Sequence, residues 1–286
     1  NNEKICRTSM CGRFFKLKGS RAMFYYVVDA FSEKIFGGNP AGVCVLDTWP
    51  EDELMQNIAR ENNLAETAFV VGEGGRYQLR WFTPAVEIEL CGHATLATVQ
   101  VLYELGYADP FQPILFESAS GSLTAQRRGD QIELDFPQLF VTETERNPIV
   151  EKGFGIHAVY TGKNDNRYLI QVEDPEQVIA LKPDFGMLQR ADLGRFIITA
   201  RSNRPEYDFI SRYFAPGVGV PEDPVTGTAH CYLAPYWARK LGKKELVGFQ
   251  ASERSGTIGC ELADNERIIL RSSAVIMQEL IPRWNK

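Results

Sequence analysis

The chain has only three histidines in 286 residues, His93, His157 and His230. None stands in an HExxH or Cys/His metal spacing, so a structural or catalytic metal is not expected. The six cysteines contain no CxxC pair, and a chain of this length folds without disulfides. They read as free thiols in a reducing compartment, the cytoplasm. There is no GxGxxG fingerprint, P-loop or GxSxG elbow, so no nucleotide cofactor or serine nucleophile is indicated. No apolar run reaches the roughly 20 residues that a membrane helix needs, and no secretory h-region is present. Lys/Arg-rich patches are missing from the main body and the formal net charge is −6, which argues against nucleic acid as a partner.

What is present is a chain with 44% hydrophobic residues, enough for one large core or two medium ones. Residues 1–22 stand apart, with six Lys/Arg, one Glu and no clean periodicity, ahead of Met23 and the strand-like FYYVVDAF. They read as an added leader before a natural start at Met23, or as a basic targeting segment.

The main signal is an internal repeat. RWFTPAVEIELC (80–91) aligns with RYFAPGVGVPED (212–223) at a constant offset of 132 (212 − 80 and 223 − 91). A small-residue turn and an apolar helix follow each copy, with Gly106 and Gly242 as stops. The helix turns are offset by about 135, so the second turn is longer by a few residues. A duplicated unit predicts two similar half-domains, 23–138 and 139–286, with the last strand free to pack back on the first. Strands outnumber helices and cluster in meanders, which predicts an α+β fold.

The repeat places Cys91 and Asp223 at equivalent positions just ahead of helix N-termini. Such ends offer free N–H groups and a positive dipole, a seat for a small anion. Two of them facing each other would grip one small anionic metabolite, with side chains reaching both faces of its reacting carbon. The plain alternative is a buried thiol and an N-cap. Glu66 precedes an apolar strand, where desolvation would raise its pKa, or it is a solvated loop residue. His93 follows the first turn and is catalytic or structural. The segment GGNPAG (37–42) with Asn39 reads as a ligand-approaching loop or as a plain turn.

The motifs DAF…FGGNPAGVCVL, ARENNLAETAFV, LRWFTPAVEIELCGHATLA and SRYFAPGVGVPEDPVTGTAH resemble the PhzF (phenazine-biosynthesis isomerase) family from about Met23 to Met277. The resemblance implies two pseudo-symmetric diaminopimelate-epimerase-like domains, each a barrel-like sheet around a central helix, often as homodimers. It implies cofactor-independent proton transfer with Glu66 as general acid/base and His93 and Asp223 in support. It puts Asn39, Cys91, Gly92, Gly227, Thr228 and Ala229 on substrate-contacting positions. Cys91 is similar in placement to one of the two epimerase cysteines, while Asp223 replaces the other. Ala65 and Thr228 stand where the family often has Ser, so the substrate need not be the phenazine precursor. Two rival readings are an amino-acid racemase or epimerase acting through Cys91, and a non-catalytic binding protein on the same fold.

Overall fold

The computed structural model describes residues 24–190 and 194–280. In chain order the first half runs β1 (Phe24–Ala30), β2 (Asn39–Leu46), α1 (Asp52–Asn62), β3 (Glu66–Glu73), β4 (Arg76–Phe82), β5 (Glu87–Ile88), α2 (Gly92–Glu104), β6 (Ile114–Ser118), β7 (Gly121–Arg128) and β8 (Gln131–Pro137). The second half runs β9 (Thr142–Glu143), α3 (Pro148–Phe154), β10 (Tyr160–Asn164), β11 (Arg167–Gln171), α4 (Pro175–Ile179), α5 (Phe185–Arg190), β12 (Arg195–Arg201), β13 (Phe209–Ala215), β14 (Val220–Asp223), α6 (Gly227–Leu241), β15 (Glu245–Gln250), β16 (Gly256–Leu262), β17 (Arg267–Ser272) and β18 (Ala274–Leu280). The fold is α+β.

The pairings show the repeat as topology. From β1 through β2, β3, β4, β6 and β7 to β8, the senses are antiparallel, parallel, antiparallel, parallel, antiparallel, antiparallel. From β10 through β11, β12, β13, β15 and β16 to β17, the same six senses recur in the same order. β8 and β17 pair antiparallel, Leu134 opposite Leu270, and fuse both halves into one sheet. β18 returns to pair with β1, as β9 pairs with β10.

Each half curls around one apolar helix. α2 packs on β1, β2, β3, β8 and β18, and α6 on β15, β16 and β17. Residues 93–103 of α2 are buried without a break, which is why its sequence shows little amphipathic stripe. Thr95 and Thr98 are tolerated inside because their hydroxyls bond back to Cys91 O and Ala94 O at 2.6 and 2.7 Å. Pro235 sits inside α6, and the carbonyl it cannot serve, that of Cys231, accepts from Leu139 N at 2.9 Å instead.

One local reading changes. Asn39 and Pro40 open β2 rather than belonging to a loop. Pro40 is allowed there because the parallel partner β3 joins only from Ala41 onward. The turn ahead of β2 depends on Gly38, at φ 62°, where a Cβ would fall 2.0 Å from Ala30 O. Cys44, Cys91, Cys231 and Cys260 are buried free thiols; Cys6, Cys11 and the whole 1–22 segment lie outside the described residues. No described helix is long and apolar enough to cross a membrane.

Because β17 and β18 complete the first half, residues 23–138 expressed alone should give no dispersed amide NMR spectrum. The whole chain should melt in one transition by calorimetry. Leu270→Ala should lower that transition by about 2–5 kcal/mol without splitting it.

Candidate active site

The two central helices meet N-terminus to N-terminus. A Cβ added to Gly92 would lie 3.9 Å from Gly227 Cα, and one added to Gly227 would lie 3.9 Å from Gly92 Cα. Phe136 flanks the first glycine and Phe31 the second. Neither helix has a side-chain cap at its start, and neither has an acidic residue in its first turn. Their first N–H groups and positive dipole ends therefore face each other without a neutralising group of the usual kind.

The side chains around this meeting point come from both halves. Asn39, on β2 and fully buried, donates from Nδ2 to Asp223 Oδ1 at 2.7 Å and to Val225 O at 2.9 Å. These two bonds use both amide protons, so the 3.5 Å approach of Nδ2 to His93 Nδ1 carries none. Cys91 Sγ lies 3.4 Å from the same ring nitrogen, and Glu66 Oε2 lies 3.3 Å from His93 Nε2. On the far side, Thr226 Oγ1 donates to Asp223 Oδ2 at 2.5 Å.

Electrostatics separate these groups. Burial, then the charge of Asp223, pushes Glu66 up to about 8. Burial raises Asp223 to about 6, against the pull of its bonds from Thr226 and Asn39. Burial lowers His93 to about 4 and pushes the Cys91 thiol well above its ordinary value, with Glu66 adding to the rise. Near pH 7 the site thus holds a protonated Glu66, an ionised Asp223, a neutral imidazole and a neutral thiol. The Cys91 S–H then donates to His93 Nδ1, which assigns the imidazole proton to Nε2, the edge facing Glu66. That Nε2 makes no hydrogen bond in the structure, and neither does the buried Asn39 Oδ1.

Glu66, Cys91 and His93 bring possible ligand atoms within 4.8 Å of one another. The sulfur, however, sits by Nδ1 and the carboxylate by Nε2, opposite edges of one ring. That arrangement suits proton relay better than a shared ion.

All nine residues singled out from the sequence fall here: Glu66, His93, Asp223, Asn39 and Cys91 by contact or charge, and Gly92, Gly227, Thr228 and Ala229 at the two helix starts. Helix register refines one equivalence. Cys91 is the N-cap of α2, and its counterpart at the N-cap of α6 is Thr226. Asp223 stands three residues earlier because Pro224, Val225 and Thr226 lengthen the second turn.

Sequence reasoning missed Thr226 and Gln250, and it did not assign Arg80 and Arg212 a role. Those arginines open the two copies of the repeat. Arg80 forks onto Glu87 and Arg212 onto Glu222, each by paired 2.7 Å bonds. Each guanidinium also lies over the Phe two residues on, at 5.2 Å for Phe82 and 5.0 Å for Phe214. The Arg-x-Phe spacing was the available signal: on one strand, i and i+2 share a face. The two clamps fix the lip strands β5 and β14 that lead into the site.

A duplicated mixed sheet wrapped around two central helices is a diaminopimelate-epimerase-like fold. A hydroxyproline epimerase from Agrobacterium vitis shares it at a TM-score of 0.58 and 12% identity, over 91% of this chain and 92% of that one. Closer matches give the family. The model for "Phenazine biosynthesis-like protein" matches residues 28–279, and the chain belongs to this PhzF family. It is 48% identical to an "uncharacterized isomerase" of Halalkalibacterium halodurans over 87% of this chain and 94% of that protein. It is 36% identical to the human "phenazine biosynthesis-like domain-containing protein", covering 89% and 96%. A PhzF-family crystal structure from Enterococcus faecalis matches at TM-score 0.85 and 40% identity, covering 90% and 98%. The chain is thus a PhzF-family, isomerase-like protein.

The Glu66 environment has a consequence for stability. A carboxyl that keeps its proton when folded but ionises when unfolded makes stability fall as pH rises, until the folded pKa is passed. Asp223 exerts this effect only up to about pH 6. His93 and His230, both lowered to about 4 by burial, act oppositely and only below about 6.5. From pH 6.5 to 8 Glu66 is the main contributor among the described residues, joined by the buried thiols as pH 8 is approached. Unfolding free energy should fall by about 1–2 kcal/mol across that window. Glu66→Gln should flatten the slope and melt above wild type at pH 8; an unchanged slope would show that Glu66 is not protonated in the folded protein.

Proposed function

We propose that the protein is a cofactor-independent isomerase that moves a proton within a small, carboxylate-bearing metabolite held between the starts of α2 and α6. The observation that carries this reading is the meeting of two uncapped helix N-termini beside Glu66. Two like dipole ends in contact repel, and an anion seated between them turns repulsion into attraction. The substrate carboxylate takes N–H bonds from the turns at Gly92 and at Gly227, Thr228 and Ala229. Asn39 Oδ1 and His93 Nε2 offer further polar contacts.

In the reaction, ionised Glu66 takes a proton from carbon and becomes the acid. It then returns that proton to another atom of the same molecule, so substrate and product have the same composition. His93 hands its Nε2–H toward the charge that develops. Asp223 stays ionised, orients Asn39 and holds Glu66 at a proton affinity suited to weakly acidic carbon. A neutral, buried Cys91 serves His93 rather than acting as the base. The names of the relatives support an isomerase, and the departures at Ala65 and Thr228 leave the substrate free to differ from dihydro-hydroxyanthranilate.

The test is proton NMR in D₂O with residues 23–286 and a panel of dihydro-hydroxyanthranilate, diaminopimelate, proline, hydroxyproline and α-amino acids. One C–H signal should disappear with wild type and persist with Glu66→Gln. The exchange rate at low substrate should climb as pH rises toward about 8, because the base form of Glu66 grows over that range. Cys91→Ser should keep exchange within about tenfold; near-total loss would favour a thiol-based racemase.

A further inference from the structure

Gln250 lies at the end of β15 and is fully buried. All of its side-chain hydrogen bonds enter the turn that carries Asp223. Oε1 accepts from Thr226 N at 2.9 Å, and Nε2 donates to Asp223 O at 2.8 Å and to Thr226 Oγ1 at 3.2 Å. The two backbone partners have fixed polarity, one donor and one acceptor, so the amide cannot be flipped. Since Nε2 donates to Thr226 Oγ1, the single hydroxyl proton of Thr226 must point away from Gln250. It points to Asp223 Oδ2. Each Asp223 oxygen thus receives one donor, from Asn39 and from Thr226. The same commitment keeps Thr226, though it is the N-cap, from capping α6.

The first half has no such device. β4 pairs with β6 as β13 pairs with β15, Gln78 opposite Glu117 and Ser211 opposite Gln250. At the offset of 132, position 250 corresponds to 118 (250 − 132). Ser118 there bonds only locally, to Gly121 O and Ser120 Oγ.

We infer that Gln250 and Thr226 form a positioning pair that holds Asp223 as the ionised carboxylate of the site, leaving the proton to Glu66. This inference rests on the reading of Glu66 and Asp223 as the acid/base site, but its test needs no substrate. The groups facing Asp223 are Glu66 on β3, Cys91 and His93 at the start of α2, Glu222 beside it on β14, and Tyr213 on β13. None is altered in the Thr226 and Gln250 variants below.

Carboxyl groups of Asp and Glu would be labelled with ¹³C in the full chain and titrated by NMR from pH 4 to 10. Asp223→Asn and Glu66→Gln assign the two signals. In Thr226→Val and in Gln250→Leu, Asp223 should bind its proton about tenfold more tightly, and Glu66 less tightly than in wild type. Thr226→Ser keeps the hydroxyl and should titrate as wild type. An Asp223 midpoint unmoved in folded Thr226→Val would overturn the inference. Should Gln250→Leu fail to fold, Thr226→Val, which conserves volume, decides alone. Exchange that persists in Glu66→Gln beside a shifted midpoint would sink the proposed reaction and leave this positioning role standing; an unmoved midpoint beside Glu66-dependent exchange would do the reverse.

Discussion

The structure turns on one unfavourable contact: two helix N-termini of like partial charge pressed together at a pair of glycines. No fold adopts this for stability. It is held in place because α2 and α6 are sheathed in sheet, and because the β8–β17 seam ties the sheaths together with Leu134 against Leu270. A Cβ at Gly92 or Gly227 would meet neighbours only at ordinary contact distances, 3.6 and 3.5 Å at the nearest, so the glycines keep the space between the helix ends open rather than making the approach possible. Leaving both ends uncapped stores a demand for negative charge. The ionised Asp223 answers part of it, and an anionic substrate would answer the rest.

Duplication explains how a chain reaches such an arrangement, and divergence explains its chemistry. The shared parts are scaffolding: the same six strand senses, and Arg80 with Glu87 matched by Arg212 with Glu222. The differences that bear on the site lie mainly in the turns. The first keeps Cys91 as N-cap and places His93 one residue into the helix. The second is three residues longer, carries Asp223 on the extra length, and braces it with Thr226 and Gln250. A symmetric pair of turns would give two equivalent acid/base groups. The unequal pair instead puts one proton on Glu66 and one charge on Asp223, different affinities that a single-residue proton shuttle requires.

Much of this was legible in the sequence, for definable reasons. The α+β class followed from strand alternation, and the facing helix starts followed from the repeat together with the glycines at 92 and 227. Boundary errors arose where tertiary context outweighed local signal: GGNPAG has turn composition, yet Asn39 and Pro40 are drawn into β2 by pairing with β1. Thr226 drew no notice because its hydroxyl's partner depends on Gln250, which is 24 residues away in sequence. Gln250 itself reads as one polar residue at a strand end. Buried polar residues acting through the backbone leave no periodicity or motif, and only the closed ledger of donors and acceptors exposes them.

That ledger also shows where stability is conceded. Glu66 and Asp223 could each be exposed at little cost; instead both are desolvated within one charge's reach of each other. His93 Nε2 and Asn39 Oδ1 are buried without partners, although a core built for stability alone would satisfy or remove them. Such atoms also occur elsewhere among the described residues, at Tyr25, Thr67, Trp81, Arg127, Arg167, Ser211 and His230; those of His93 and Asn39 stand out because they lie beside Glu66 and Asp223. A binding-only protein would have reason to keep the anion seat, but no reason to keep a carboxyl poised to hold a proton near neutrality beside it. Under the proposed function, the pairing of the anion seat with a protonated Glu66 is what would separate a proton-transfer site from a simple receptor for anions.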